Sequence, residues 1–184
     1  MKKNIIVLLF FIVCGSVIAE IISYGGFSSE SFDIKIIQHQ HMLPIQTKQF
    51  PEMKVDYSFT DAKKTYELRY SLFKQTAPID SDIMMPYTMF ILPLTLNISG
   101  GENNLRRTQR FNDNDVKNDF NGDFGTTVFI ERPKSNFGKG FKYVMLNFYC
   151  KKNYGIVVQS FLFNNTNILT DANFMEAFNS FKFN

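Results

Sequence analysis

The chain has no tryptophan, two histidines and two cysteines. Each shortage closes off some chemistry. Cys14 falls within an N-terminal apolar segment, so Cys150 stands alone in the body of the protein. An intramolecular disulfide is excluded once that segment is removed. A catalytic thiolate at Cys150 would need an activating base beside it, and the sequence offers few. We read Cys150 as a small buried hydrophobe. Any Ser-His-Asp or Cys-His arrangement must use His39 or His41. On a strand these two would share a face and form half a metal site. No other Cys or His completes the four ligands of a structural zinc, so loop histidines are expected. Charge of one sign is also scarce: the formal net charge is +3. Removing Lys2 and Lys3 with the leader lowers it to +1, too little for a nucleic-acid-binding face.

What is present begins with a leader. Met1-Lys2-Lys3-Asn4 is basic, and Ile5 to Val13 is an unbroken apolar run of signal length, too short to span a bilayer. Val17-Ile18-Ala19 places small or modest residues where a signal peptidase reads, so cleavage is expected between Ala19 and Glu20. Two alternatives stay open. One is a retained anchor or core strand. The other is lipidation of Cys14, followed by Gly15-Ser16, although Val13 stands where a small residue is usual. The division is thus residues 1–19 as signal peptide and 20–184 as one α+β domain, large enough to bury a core without metal or disulfide. The expected location is outside the cytoplasm: periplasmic, at the cell surface or secreted. Residues 83 to 98 are the most apolar later stretch, but Pro86 and Pro93 interrupt them, so no transmembrane span is expected in the mature chain.

The body is rich in aromatics, with 21 Phe and 8 Tyr. Ser23 to Glu30 reads as a flexible lead-in and Phe32 to Gln38 as a first strand. Met53, Val55, Tyr57 and Phe59 alternate with polar residues, as do Tyr66, Leu68, Tyr70 and Leu72. Period two on both sides of Asp61-Ala62-Lys63-Lys64 predicts a β-hairpin. Lys54, Asp56, Glu67 and Arg69 then fall on its solvent face. Residues 99 to 123 predict a polar surface excursion with a short helix near Asp115 to Phe120, and Phe124 to Glu131 a returning strand. Phe141, Val144, Met145 and Phe148 stand at helical spacing, ended by Lys151-Lys152-Asn153 and Gly155. Ile156 to Phe163 reads as a central strand. Thr170 or Asp171 can cap a final helix with a stripe of Phe174, Met175, Phe178 and Phe181. The fold class expected is α+β: an antiparallel-rich twisted sheet with helices packed on it.

Candidate chemistry is thin. Asp113, Asp115, Asp119 and Asp123 lie in Asn/Asp-rich segments that invite a calcium loop. Aligned on Gly122, an EF-hand pattern puts Lys117 first and Val128 twelfth, where carboxylates are required. An irregular calcium loop stays open beside the preferred reading, a solvated Asn/Asp turn. Arg106, Arg107 and Arg110 could hold an anion, though the acidic segment after them can neutralise the cluster. The glycines form no phosphate cradle. Asn97 and Asn164 match glycosylation sequons, which matter only in a eukaryotic secretory pathway. Asp56, Glu67, Asp123 and Glu131 are the carboxylates a hydrolase could use, since paired acids leave no spacing signature.

The stretches Asn121-Gly122-Asp123-Phe124-Gly125, Phe137-Gly138-Lys139-Gly140-Phe141 and Tyr154-Gly155-Ile156-Val157-Val158 resemble a group of small exported bacterial proteins of unassigned function. The order of elements, a hairpin, a long excursion and a terminal β-α-β-α, resembles the PsbP-like α/β/α sandwich over the last two thirds of the chain. That resemblance implies a binding or assembly factor rather than an enzyme, and it carries over no residue role. The function expected is therefore an exported, non-catalytic binding or assembly module. Its partner would be a protein or envelope component; no cofactor and no nucleic acid are expected. A small secreted hydrolase using carboxylates is the alternative.

Overall fold

The computed structural model describes residues 27, 28, 30–76 and 84–184. The expected signal, its cleavage point at Ala19 and Glu20, and Cys14 lie outside the described residues. In chain order the elements are β1 (Phe27–Ser28), β2 (Ile34–Ile36), β3 (Leu43–Pro44), β4 (Tyr57–Thr60), β5 (Tyr66–Gln75), α1 (Met84–Ser99), β6 (Leu105–Arg110), α2 (Asp113–Phe120), β7 (Phe124–Glu131), α3 (Ser135–Gly138), β8 (Tyr143–Lys151), β9 (Gly155–Phe163), α4 (Ala172–Phe178) and β10 (Phe181–Phe183). One antiparallel sheet runs β3-β4-β5-β9-β8-β7-β6, with β1 beside β5. β2 and β10 pair separately. The protein is α+β, with helices packed on a twisted sheet.

Both faces of the sheet are covered. In β9, Ile156, Val158 and Leu162 enter one core, while Val157, Phe161 and Phe163 enter the other. α1 covers the first face with Phe90, Leu94 and Ile98. α2, α4 and β10 cover the second with Val116, Phe120, Phe174, Ala177, Phe181 and Phe183.

This double burial accounts for several departures from the sequence expectations. The helix expected at Phe141 to Phe148 is strand β8, paired to β7 on one side and β9 on the other. A strand buried on both faces reads as a continuous apolar run, and such a run satisfies helical spacing by accident. The residues read as its C-terminus form the β8–β9 turn, where Asn153 takes φ 61. The 57–72 hairpin is present, but Arg69 is not on a wet face: it is wholly buried. Its side of β5 faces Phe50 and Phe137, whose rings lie 4.3 and 4.8 Å from the guanidinium carbon. Glu67 and Asp56 are largely covered too, with side chains 12% and 8% exposed.

α1 was not expected, because Pro86 and Pro93 interrupt its apolar residues. Pro93 sits inside it on the exposed side, where the missing amide is least costly. No helix among the described residues is long and apolar enough to cross a membrane. The excursion at 99 to 123 contains edge strand β6 as well as α2, which Asn112 caps. Arginine on such an edge discourages further strand pairing. The lead-in ends as a strand: Phe27 is buried against Phe90 at 5.4 Å. The final helix forms with Asp171 as cap. Its stripe is corrected at two places. Phe181 belongs to β10, and Met175 is 45% exposed while Ala177 is buried.

Candidate functional site

Three loops meet at the end of the sheet where β5 begins and β9 ends; Tyr66 and Phe163 are direct partners there. The first is the β4–β5 turn. Asp61 closes it, accepting from the Thr65 amide at 2.6 Å and the Thr65 hydroxyl at 2.8 Å, as turn-forming Asp does. The second is the β9–α4 connection. Asn165 accepts from the Asn167 amide at 3.0 Å, and Asp171 caps α4 by accepting from Asn173 and Phe174 at 2.9 and 3.2 Å. The third is a turn at residues 39–42, closed by Met42 N–H to the His39 carbonyl at 2.9 Å and anchored by buried Met42.

These loops enclose a cleft of about 420 Å³ lined by His41, Asp61, Lys63, Tyr66, Ile168 and Asp171, with neighbouring asparagines. That volume is in the usual range for small-ligand sites. Tyr66 is 2% exposed. Phe174 meets its ring edge-on at 5.7 Å and Phe161 lies at 6.0 Å, so the ring cannot swing. Its hydroxyl is buried without a hydrogen-bond partner. Burial pushes the phenol well above its usual pKa, and the charges of Asp61 and Asp171 push it further; it is a neutral hydroxyl. Leaving such a group unpaired costs about 1–3 kcal/mol.

His41 adds a second unpaired atom. Its Nδ1 faces Glu176 Oε2 at 3.5 Å, and His39 Nδ1 approaches the same oxygen at 3.4 Å. The two rings stack at 5.6 Å. His41 Nε2 is buried with no partner. The histidines occupy a turn rather than a strand, but they do share a side. Glu176 is their third group, contributed from α4 beyond the reach of sequence spacing. Among the described residues, no group of three or more His, Cys, Asp or Glu is placed to hold a metal ion.

The remaining candidates do not converge. Asp113, Asp115 and Asp119 lie along α2, where Asp113 pairs with Arg110 at 2.8 Å. Asp123 instead accepts from the Lys152 amide at 2.7 Å. Arg107 and Arg110 are exposed on edge strand β6. Glu67 and Glu131 sit on β5 and β7, three strand spacings or about 14 Å apart. Asp56 lies near Leu72, whose amide it accepts at 2.9 Å, roughly 17 Å along β5 from Glu67. Asp123 is roughly 26 Å along β7 from Glu131. Carboxylate pairs that cleave glycosides stand about 5–9.5 Å apart. Cys150 is buried, and burial pushes its thiol well up, which opposes nucleophilic use.

No protein-family model matches the chain, and no curated protein matches it. What defines the molecule is an α+β sheet domain with a polar cleft at one sheet end. In the sequence, Tyr66 looked like one more core residue, Asp61 a turn residue and Asp171 a helix cap. Only the pairing of β5 with β9 shows that all three share one cleft.

Proposed function

We propose that this chain is a non-catalytic binding module, exported after loss of residues 1–19, that holds a small polar ligand in the cleft around Tyr66. The observation that carries this reading is the pair of buried polar atoms at the cleft, Tyr66 Oη and His41 Nε2, neither with a protein partner. A ligand that bonds to them removes a cost the folded chain otherwise bears. The dispersal of Asp56, Glu67, Asp123 and Glu131 supports binding over hydrolysis. Helices on both faces of an antiparallel sheet support placing the chain with PsbP-like sandwiches, whose members act as binding or assembly factors.

Two experiments test it. N-terminal sequencing of the exported protein should begin at Glu20; a start at lipid-modified Cys14 would make it a lipoprotein instead. A nuclear magnetic resonance titration with a library of small polar fragments should give saturable shifts confined to residues 39–42, 61–66 and 165–173. The fragments should be recovered unchanged. Hits that map elsewhere, or that are chemically converted, would overturn the reading.

A further inference from the structure

We infer that the cleft takes a ligand bearing a primary ammonium group, held by Asp171, Asp61 and Tyr66 Oη. The inference rests on the cleft being the binding site and adds the ligand's chemistry.

Charge is the first argument. Two carboxylates, Asp61 and Asp171, line the cleft against one lysine, Lys63. Both carboxylates act electrostatically on the Tyr66 hydroxyl, so their fields overlap at the buried wall. Lys63 and Asp171 are exposed, Asp61 is half-buried and Tyr66 is closed off from solvent. A cation entering here exchanges water for a site that is already negative.

Hydrogen-bond polarity is the second argument. Tyr66 lines the cleft, and its Oη, which carries acceptor lone pairs, is buried without a partner. Asp171 uses Oδ1 to cap α4, which leaves its second oxygen for a ligand. The wall therefore offers acceptors, and a primary ammonium brings three donors and no acceptor. An anionic ligand would meet two carboxylates. A neutral hydroxyl would satisfy the acceptors without using the charge.

Three four-carbon probes separate these cases: 1,4-diaminobutane, 1,4-butanediol and succinate, each titrated into the isotope-labelled exported protein. Diaminobutane should shift the amides of residues 39–42, 61–66 and 165–173 saturably, and more weakly as salt is raised. Asp171→Asn keeps the helix cap, because Asn caps as well as Asp, but removes the charge. It should weaken diaminobutane about tenfold, the worth of one charge-assisted hydrogen bond, with the melting temperature nearly unchanged. Tyr66→Phe should weaken it severalfold, and Lys63→Ala should tighten it. Equal or tighter binding of butanediol or succinate at these amides would overturn the ammonium assignment while leaving the cleft as the site. Unweakened binding to Asp171→Asn would overturn it as well. No response to diaminobutane would also overturn it. In that case the fragment titration still decides separately whether the cleft binds anything.

Discussion

Arg69 shows how far one residue can stand from its surface reading. Its Nε donates to Glu67 at 2.7 Å and its Nη1 to the Phe137 carbonyl at 2.7 Å, while Nη2 has no partner. Burial lowers its pKa, and the hydrogen bond and charge of Glu67 oppose that. Lys139 reaches the same carboxylate at 3.4 Å and lies 4.9 Å over the Phe50 ring. Breaking a buried pair by removing one partner costs about 3–5 kcal/mol, because it strands the other charge. Arg69→Met should therefore destabilise by about that much in urea unfolding. Arg69→Met with Glu67→Gln should recover over half of the loss, since a paired replacement leaves no uncompensated charge. A single variant that cost under about 1 kcal/mol would mean that Lys139 alone satisfies Glu67. Alternation alone placed Arg69 outside, because period two separates two faces but does not say that both are dry.

At the scale of elements, α4 carries the clearest test. The helix has seven residues, too short to hold itself in water. Phe174 is 1% exposed and packs on Phe161 at 4.5 Å, Tyr66 at 5.7 Å and Phe163 at 6.0 Å. Phe178 is half-buried, between Phe111 and Phe120. Gln159 ties the end of the helix to the sheet, donating to the Phe178 carbonyl at 3.0 Å and to Tyr70 Oη at 3.1 Å. Phe174→Ala should cost about 3–5 kcal/mol, Asp171→Ala about 1 kcal/mol for the lost cap, and Met175→Ala under about 0.5 kcal/mol. Denaturant midpoints in which Met175→Ala cost as much as Phe174→Ala would show that the outer face of α4 is covered. The hairpin was legible from its clean period and this helix from its capping residue, while β7 and β9 read as strands because each is a short run of β-branched and aromatic residues bounded by Gly or Asn/Asp turns. β8 and α1 were not legible. β8 is apolar on both faces and α1 carries two prolines, and periodicity cannot tell a strand buried on two faces from a helix. The cleft was illegible for another reason: Asp61 and Asp171 are 110 positions apart, and only long-range pairing joins them.

For the whole molecule, the buried tyrosines set the limit of stability at high pH. Burial pushes the Tyr70 phenol up from 10.0 to about 12, against hydrogen bonds from Ser180 and Gln159 that lower it. Burial also raises Tyr66, with Asp61 and Asp171 adding to it, and Tyr149, with Tyr70 and Asp119 adding to it. In the unfolded chain a phenol ionises near pH 10. Between that pH and the folded value, the unfolded state has released protons that the folded state retains. Stability therefore falls as pH rises through this window and is unaffected below it. Tyr70 alone, raised by two units, accounts for roughly 2 kcal/mol by pH 12. The other two shifts have the same sign, and a domain commonly has about 5–15 kcal/mol in all. The protein should accordingly unfold cooperatively between pH 10 and 12. Tyrosinate absorbance near 295 nm should show a step that coincides with loss of far-ultraviolet circular dichroism. Tyr70→Phe should lower stability at neutral pH, because Ser180 and Gln159 lose their partner, and should also flatten the alkaline slope. Were all the phenols to ionise near pH 10 with the dichroism intact, Tyr66, Tyr70 and Tyr149 would be open to water, and the closed wall of the cleft would be lost with them.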